Sequence, residues 1–494
     1  MNSDTKQHSL PSLVGDVVTD PKRYIDNLFS DGWKRLKLEK NVVQSGFKKR
    51  SGVSITEAVF LLLVWKWLNV TSIGMFCRKS LQAFSQSHKD VMYELLKRED
   101  TNWRALHQGV AKQCYSNHDL KQSRVRAFVL DDSIVTRKGK KLEGVSSHFD
   151  HVTGRHVMGQ QVLTLGLATE DAFLPLDSQI FVSQTKVHGL DGRHIDKRSV
   201  AAKRYEEAVT KTKPEMSGQM LKRAQRGGIP ADYLLADAWF GTKPMIKTAL
   251  DLNLKAILRM KKNNTKYRVT TNGKESALTA KELYGRMVRK KWGKVQGMSY
   301  RAAPIKVELD ISGKAEKLPR WIEIQLLFVK GLNESKDADA GKKDWALFLS
   351  TDTELSIRKI LEIYALRWGI EVYFKEAKQH LGLLKEQTRT FASHTASIHL
   401  CAIRYLMLVD AKLEDGELRV ADARANIKDH FETLNLAAKL WLIFRSIISD
   451  TLQDCRKDLG ISVKQLVECI DDRIQSFIIQ SLQLDTNTMR LEYG

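Results

Sequence analysis

Residues Ile363–Leu384 read IYALRWGIEVYFKEAKQHLGLL. Advancing about 100° per residue from Tyr364 places Arg367, Glu371 and Lys378 with it inside an arc of about 60°. Ile363, Ile370, Phe374, Ala377 and Leu381 fall beside that arc as an apolar stripe. The pattern predicts a helix that resumes near Leu355 and continues to Leu384, buried along one side. A carboxylate then stands in a row of donors at the edge of the core. Such an acid can ligate a metal ion while an arginine fork and a lysine point charge grip phosphates. On a solvated face the same residues would pair Glu371 with Arg367 and Lys375, and periodicity leaves both arrangements open.

Upstream, Arg124–Leu130, Val157–Leu167 and Phe173–Val182 are short β-type runs. Ser199–Gln225 reads as helix, stopped by Gly227-Gly228-Ile229-Pro230. Tyr233–Ala236 reads as strand, Lys243–Leu252 as helix and Lys255–Leu258 as strand. The first run ends in Asp131-Asp132-Ser133, and Tyr233–Ala236 ends at Asp237. Strand ends are where a rigid scaffold presents reactive groups. Carboxylates from adjacent strand ends suit hard, oxygen-seeking Mg2+ or Mn2+. Against that stands abundance: with 58 acidic residues, some strand-end aspartates are inevitable.

Tyr364-x2-Arg367-x3-Glu371-x6-Lys378 matches, at every spacing, the Y-R-E-K signature of the insertion-sequence-four family of DDE transposases. The chain resembles that family over residues 50 to 410. Asp131-Asp132-Ser133 with the basic Arg137–Lys141 resembles its first aspartate motif, with Ser133 where Thr is more usual. Asp237-Ala238-Trp239-Phe240 resembles its second. The doubled aspartate offers Asp131 or Asp132 as first ligand, and Asp132 is preferred because it precedes the hydroxyl residue. The resemblance implies an α/β, RNase-H-like (retroviral-integrase-like) core interrupted by a β-strand insertion, with helical N- and C-terminal regions. It implies that Asp132, Asp237 and Glu371 are catalytic and hold two Mg2+ or Mn2+ ions. By the same resemblance Tyr364 and Arg367 hold transposon-end phosphates, Lys378 touches DNA near the scissile bond, and Lys375 joins the DNA contacts.

The expected organisation is a helical DNA-end-binding region over 1–120, core over 121–262, β-rich insertion over 263–353, core again over 354–410 and helical tail over 411–494. The 133 residues between Asp237 and Glu371 leave ample room for that insertion. Relatives can cleave through a hairpin, flipping a base onto a tryptophan. Trp292 lies in the strip Arg286–Lys294, which has five basic residues and no acidic one, the composition of a stacking platform. A core tryptophan amid solvated lysines fits equally, and Trp321 and Trp239 are alternatives. The run Arg259–Arg268 either lines DNA or is a solvated stretch. His148-Phe149-Asp150-His151 with His156 reads as a surface turn rather than a metal cluster, lacking helix alignment and partner cysteines. No phosphate loop of the G-x-x-x-x-G-K-[S/T] type occurs, so ATP is not implied.

Charge agrees with a polyanionic partner. Lys and Arg number 80 against 58 Asp and Glu, a net of +22. Residues 411–494 carry 11 basic and 14 acidic groups, so the first 410 hold +25. The near-neutral tail reads as a protein contact, expected to pair two copies in a synaptic complex. Five cysteines without a C-x-x-C motif point to a reducing compartment rather than a disulfide framework. The apolar run Ala58–Trp65 is too short to span a bilayer and reads as a buried helix capped by Ser54 and Glu57. The expectation is a cytoplasmic, nucleoid-associated bacterial enzyme that cuts double-stranded DNA at terminal inverted repeats and joins the 3′-hydroxyls to target DNA. A metal-dependent nuclease without strand transfer, or an inactive DNA-binding relative, is the alternative.

Overall fold

The computed structural model describes residues 28–454 except positions 50, 69, 86, 140, 151–152, 185–186, 188–195, 272–273, 289–290, 314–315, 317 and 332–344. His151, Lys140, Arg289, Lys290, Cys455, Cys469 and residues 455–494 of the proposed tail lie outside the described residues. Helices α1 (Leu28–Arg35), α2 (Leu38–Gln44), α3 (Ile55–Val64), α4 (Ile73–Lys79), α5 (Asp90–Lys97) and α6 (Trp103–Asn117) come first. The Ser54 hydroxyl caps α3 by accepting the Glu57 N–H at 3.0 Å. The Glu57 carboxylate accepts from the Ser85 hydroxyl, so this cap lacks the reciprocal half of a capping box. Ala58 to Val64 are all buried, as expected for a helix apolar all round. Among the described residues no helix is long and apolar enough to cross a membrane.

The strands follow: β1 (Ala127–Thr136), β2 (Ser146–Asp150), β3 (Arg155–Ala168) and β4 (Phe173–Phe181). Then come α7 (Val200–Thr210), α8 (Lys213–Arg226), β5 (Tyr233–Ala236), α9 (Lys243–Asp251) and β6 (Lys255–Met260). β3 is antiparallel to β1 and to β4, whereas β5 runs parallel to β1 and β6 parallel to β5. Parallel neighbours need crossover connections, and α7 with α8, then α9, provide them. The next strands are β7 (Lys266–Thr271), β8 (Lys274–Thr279), β9 (Gly293–Lys294), β10 (Tyr300–Asp310), β11 (Trp321–Gly331) and β12 (Ala346–Ser350). β12 pairs with β6, so this strand-rich segment extends the same sheet, in the order β2-β3-β1-β5-β6-β12-β11-β10-β7-β8. Helices α10 (Ile357–Ala365), α11 (Trp368–Gln379), α12 (Phe391–Glu414) and α13 (Val420–Asp454) complete the described chain.

Several expectations are corrected. The first strand does not stop at Leu130 but continues through both aspartates to Thr136, paired there with β3 alone. The expected turn at His148 is the edge strand β2, and His148 is buried with Nε2 2.9 Å from the Ser146 hydroxyl. The helix read over Ser199–Gln225 divides at Lys211, because Thr212 and Glu215 form a complete capping box and Pro214 occupies the first turn. The helix read from Leu355 to Leu384 is two helices. Between them Arg367 N bonds Tyr364 O and Ile370 N bonds Arg367 O, the i→i−3 pattern of a tightened turn. α11 stops at Gln379, and Gly382 and Leu384 adopt positive φ of 80° and 57°.

Helix α12 is buried from Phe391 to Ala411 except at half-buried Thr395. Inside it Arg404 donates to the carbonyls of Leu62, Leu63 and Leu381. Those carbonyls close α3 and the turn after α11, so one guanidinium satisfies acceptors that helix ends leave open. Burial still draws the Arg404 guanidinium down to about 10.

The same layer holds buried neutral histidines. His107 Nε2 donates to Pro175 O at 2.9 Å, which leaves its Nδ1 to accept from His399 Nδ1 at 3.1 Å. Protonating His107 would set two N–H groups against each other. Burial lowers His107 to about 4, His394 to about 3 and His399 well below its usual value. The unfolded chain therefore binds more protons than the fold below the ordinary histidine pKa. Stability is complete above about pH 6.5 and falls as pH drops toward 4, by about 1.4 kcal/mol per pH unit for each histidine. Urea unfolding at pH 7.5 and pH 5.0 should show a loss of several kcal/mol, shared by a metal-free sample. An unchanged midpoint would mean these histidines are charged in the fold.

Candidate active site

The ends of β1 and β5 decide the geometry. Leu130 and Ala236 are the last partners in that parallel pairing, so Asp131 and Asp237 leave neighbouring strands side by side. Asp237 Oδ1 accepts the N–H groups of Trp239 and Phe240 at 2.9 and 3.3 Å. This Asx turn fixes the carboxylate just beyond the strand. Gly241 closes the turn; a Cβ there would stand 2.1 Å from the Arg259 carbonyl of β6. Gly369 plays the same part for α11, where a Cβ would meet Phe173 of β4 at 2.8 Å. The two glycines let the turn and the helix approach the sheet.

Arg367 joins the helix to the strand. Its Nη1 donates to Asp131 Oδ2 at 3.0 Å and its Nη2 to Glu371 Oε1. Burial first, and then the Asp237 charge, raise the Asp131 carboxyl to about 7 against the opposing pull of Arg367. Hard oxygen donors short of positive charge fit Mg2+ or Mn2+. Asp132, whose side chain alternates to the other side of the strand, is engaged elsewhere. Lys213 Nζ donates to its Oδ2 at 2.8 Å and Gln161 Nε2 to its Oδ1 at 2.6 Å.

Asp131, Asp132, Asp237, Lys213, Lys261 and Lys378 line a cleft of about 860 Å³, with Trp239, Phe149 and His156 among its other walls. Desolvation lowers the Lys378 ammonium, opposed by the charges of Asp150 and Asp132. Glu371 and Lys378 belong to α11 and Arg367 caps its start, whereas Tyr364 belongs to α10. The Tyr364 hydroxyl donates to Ala236 O at 3.4 Å and its ring meets Phe348 edge-on at 4.8 Å. Burial pushes that phenol up to about 12. Tyr364 thus braces the end of β5, one residue before Asp237. Lys375 is exposed one turn beyond Glu371.

Trp292 lies apart from these groups, half-buried against Tyr284 with Lys330 Nζ 4.6 Å over its ring. Trp321 carries Arg268 at 4.1 Å, and Trp239 carries Lys213 at 4.2 Å. Sequence reasoning missed Trp368, whose side chain is 64% exposed directly after Arg367. It also missed Lys213, although Thr212-Lys213-Pro214-Glu215 is a legible helix start. Cys114, His118 and Asp410 lie close enough to share an ion. The Asp410 oxygens are already taken, however, by Arg35 at 2.7 Å and His118 at 2.9 Å. That cluster ties α1 and α6 to α12.

Two family models match the chain. A model of DDE superfamily endonucleases covers residues 73–303, and a transposase DDE domain model covers residues 200–407. No curated protein matches. The chain is a DDE transposase enzyme, carrying out nuclease and phosphoryl-transfer chemistry on DNA. Enzymes of this type use divalent metal ions.

Proposed function

We propose that the chain is an insertion-sequence transposase of the insertion-sequence-four kind, cutting double-stranded DNA at the element's ends and joining the 3′-hydroxyls to target DNA. The observation that carries this reading is the Arg367 guanidinium joining Asp131 to Glu371, with Asp237 leaving the neighbouring strand beside Asp131 and lining the same cleft. Asp131 replaces Asp132 as first ligand in the proposal, because Asp132 is committed to Lys213 and Gln161. The strand order β4-β3-β1-β5-β6, antiparallel then parallel, supports an RNase-H-like core. Two divalent ions bound there would polarise the scissile phosphate and activate the attacking water or 3′-hydroxyl. Arg367 and Lys378 neutralise flanking phosphates, which is where a loose phosphoryl transition state gains most. Tyr364 orients Asp237 through Ala236, and Lys375 and the exposed Trp368 extend the DNA-facing surface.

Hairpin formation on Trp292 remains part of the proposal; Lys330 must leave the ring face for a base to stack there. The C-terminal helix supports pairing of two copies, since Leu436, Ile443 and Phe444 of α13 are 51%, 56% and 47% exposed. A protein acting on chromosomal DNA works at the nucleoid.

Incubating the purified chain with duplex DNA bearing the element's ends, plus Mg2+ and a target plasmid, tests the whole reading. Gel mapping should show end nicks, then products covalently joined through 3′-hydroxyls. Nicks without joining would reduce the chain to a nuclease, and binding without nicks to an inactive relative.

A further inference from the structure

Among the described residues, Lys213 is the one lysine lining the cleft that is nearly sealed from water, its side chain 8% exposed, and the proposed chemistry leaves it without a task. It begins α8, held there by the Thr212–Glu215 capping box and by Pro214. Its ammonium lies 2.8 Å from Asp132 Oδ2, 4.2 Å from the centroid of the Trp239 ring and 5.2 Å from that of Phe181. Asp132 is the residue after Asp131. Trp239 is the residue whose N–H holds Asp237 Oδ1. One ammonium therefore grips an immediate neighbour of the first aspartate and the turn that fixes the second.

A buried ion pair is poor value for stability, because desolvating both groups offsets most of their attraction. A methionine would fill the space between two aromatic rings equally well. What the lysine adds is directional: a salt bridge to β1 on one side and a cation–π contact to the β5 turn on the other. The Lys213 ammonium contacts Asp132 and the Trp239 ring. It acts on the carboxylates through their neighbours.

We infer that Lys213 is a positioning residue of the DDE reaction: it clamps Asp132 to the ring of Trp239, and so holds Asp131 and Asp237 at the relative placement that ion binding needs. The inference rests on reading Asp131 and Asp237 as metal ligands. The sign of its effect separates it from the alternative. If Asp132 were the ligand, Lys213 would compete with the metal for it, and removing the lysine would tighten metal binding. If Lys213 positions Asp131, removing it loosens binding, by about 10–100-fold for a group that orients ligands from behind.

Calorimetric titration of Mn2+ into the full DNA-free chain tests this, with urea unfolding run alongside. K213M and D132N should each weaken Mn2+ binding at least about tenfold, while the double variant is no worse than either single one. K213R should recover most of the affinity, since a guanidinium can keep both contacts. The K213M/D132N double variant, which removes both charges, should unfold close to the parent midpoint while its Mn2+ affinity stays low, which a purely structural ion pair would not allow. Wild-type affinity in K213M, or tighter binding, overturns the inference. D131N and D237N serve as reference: unchanged Mn2+ binding in both would overturn the ligand reading and the inference with it. If both lose the metal and K213M does not, only the role of Lys213 is wrong.

Discussion

Asp131→Asn abolishes end cleavage and makes the metal-free protein more stable. The two effects share one cause. The Asp131 carboxyl is pushed up to about 7 by burial and by the charge of Asp237. A folded carboxyl that holds its proton more tightly than an unfolded one lowers stability as pH rises from about 4 through 7. At pH 8 it is ionised in a site that disfavours the charge, at a cost of a few kcal/mol, about 1.4 per unit of displacement. Asparagine removes that charge and keeps the shape. The expected result at pH 8 in chelator is a higher urea midpoint for D131N than for the parent. Mg2+ should raise the parent's midpoint and leave that of D131N almost unmoved, because a ligand stabilises only the fold that binds it. Cleavage of end DNA by D131N should fall by more than about 10³-fold, equivalent to about 4 kcal/mol of barrier. D237N and E371Q should match it in cleavage. D132N should keep measurable cleavage that recovers at high metal concentration, as a variant of a positioning partner does. If D132N is inert at every Mg2+ concentration while D131N cleaves, the assignment reverses.

What could be read in advance divides along physical lines. Arg367 and Glu371 are legible as partners from spacing alone, because the four-residue step between them survives across the start of α11, where Arg367 is the cap. Tyr364 was placed with them by the same arithmetic, yet it belongs to a second helix. The i→i−3 turn at Leu366 and Arg367 resets the register, and no glycine or proline in Ile363–Arg367 announces it. Choosing between Asp131 and Asp132 needs to know which side of β1 meets which helix. Alternation says that the two side chains diverge, not which way, and the partners Arg367 and Lys213 lie 236 and 81 residues downstream. Gly241 and Gly369 matter through atoms of β6 and β4, contacts that no local pattern encodes. The division at Thr212 was different. A Thr-x-x-Glu pair with Pro214 was legible, and the longer apolar periodicity of Ser199–Gln225 concealed it.

Arg367→Met separates the two tasks of one guanidinium, with effects of opposite sign. In the DNA-free fold Arg367 bridges Asp131 and Glu371, supplying the positive charge these carboxylates otherwise lack. A divalent ion arriving at the same oxygens meets a cation already in place. R367M should therefore bind Mn2+ more tightly than the parent without DNA, by roughly tenfold, or about 1.4 kcal/mol. End cleavage should nevertheless fall by about 10²–10³-fold, because a donor aimed at the reacting phosphate has gone. Phosphates of bound end DNA compete for the guanidinium and draw it from the carboxylates. In the parent, then, DNA should tighten Mn2+ binding, and by linkage Mn2+ should tighten DNA binding by the same factor. That coupling should vanish in R367M. The methionine stem retains the packing of the arginine against the Tyr364 ring, 5.8 Å from the guanidinium, so the comparison is between folded proteins. Calorimetry on both proteins, with and without uncleaved end duplex, reads all four affinities. Should R367M bind Mn2+ no more tightly than the parent, the guanidinium is not standing in for the ion. With tighter binding and no loss of coupling, some other cation, Lys378 first among them, links DNA to metal. Under the expected pattern the enzyme keeps its carboxylates neutralised by its own side chain until a DNA end releases them, and the charge that first drew DNA to the cleft then becomes the reason the ions follow.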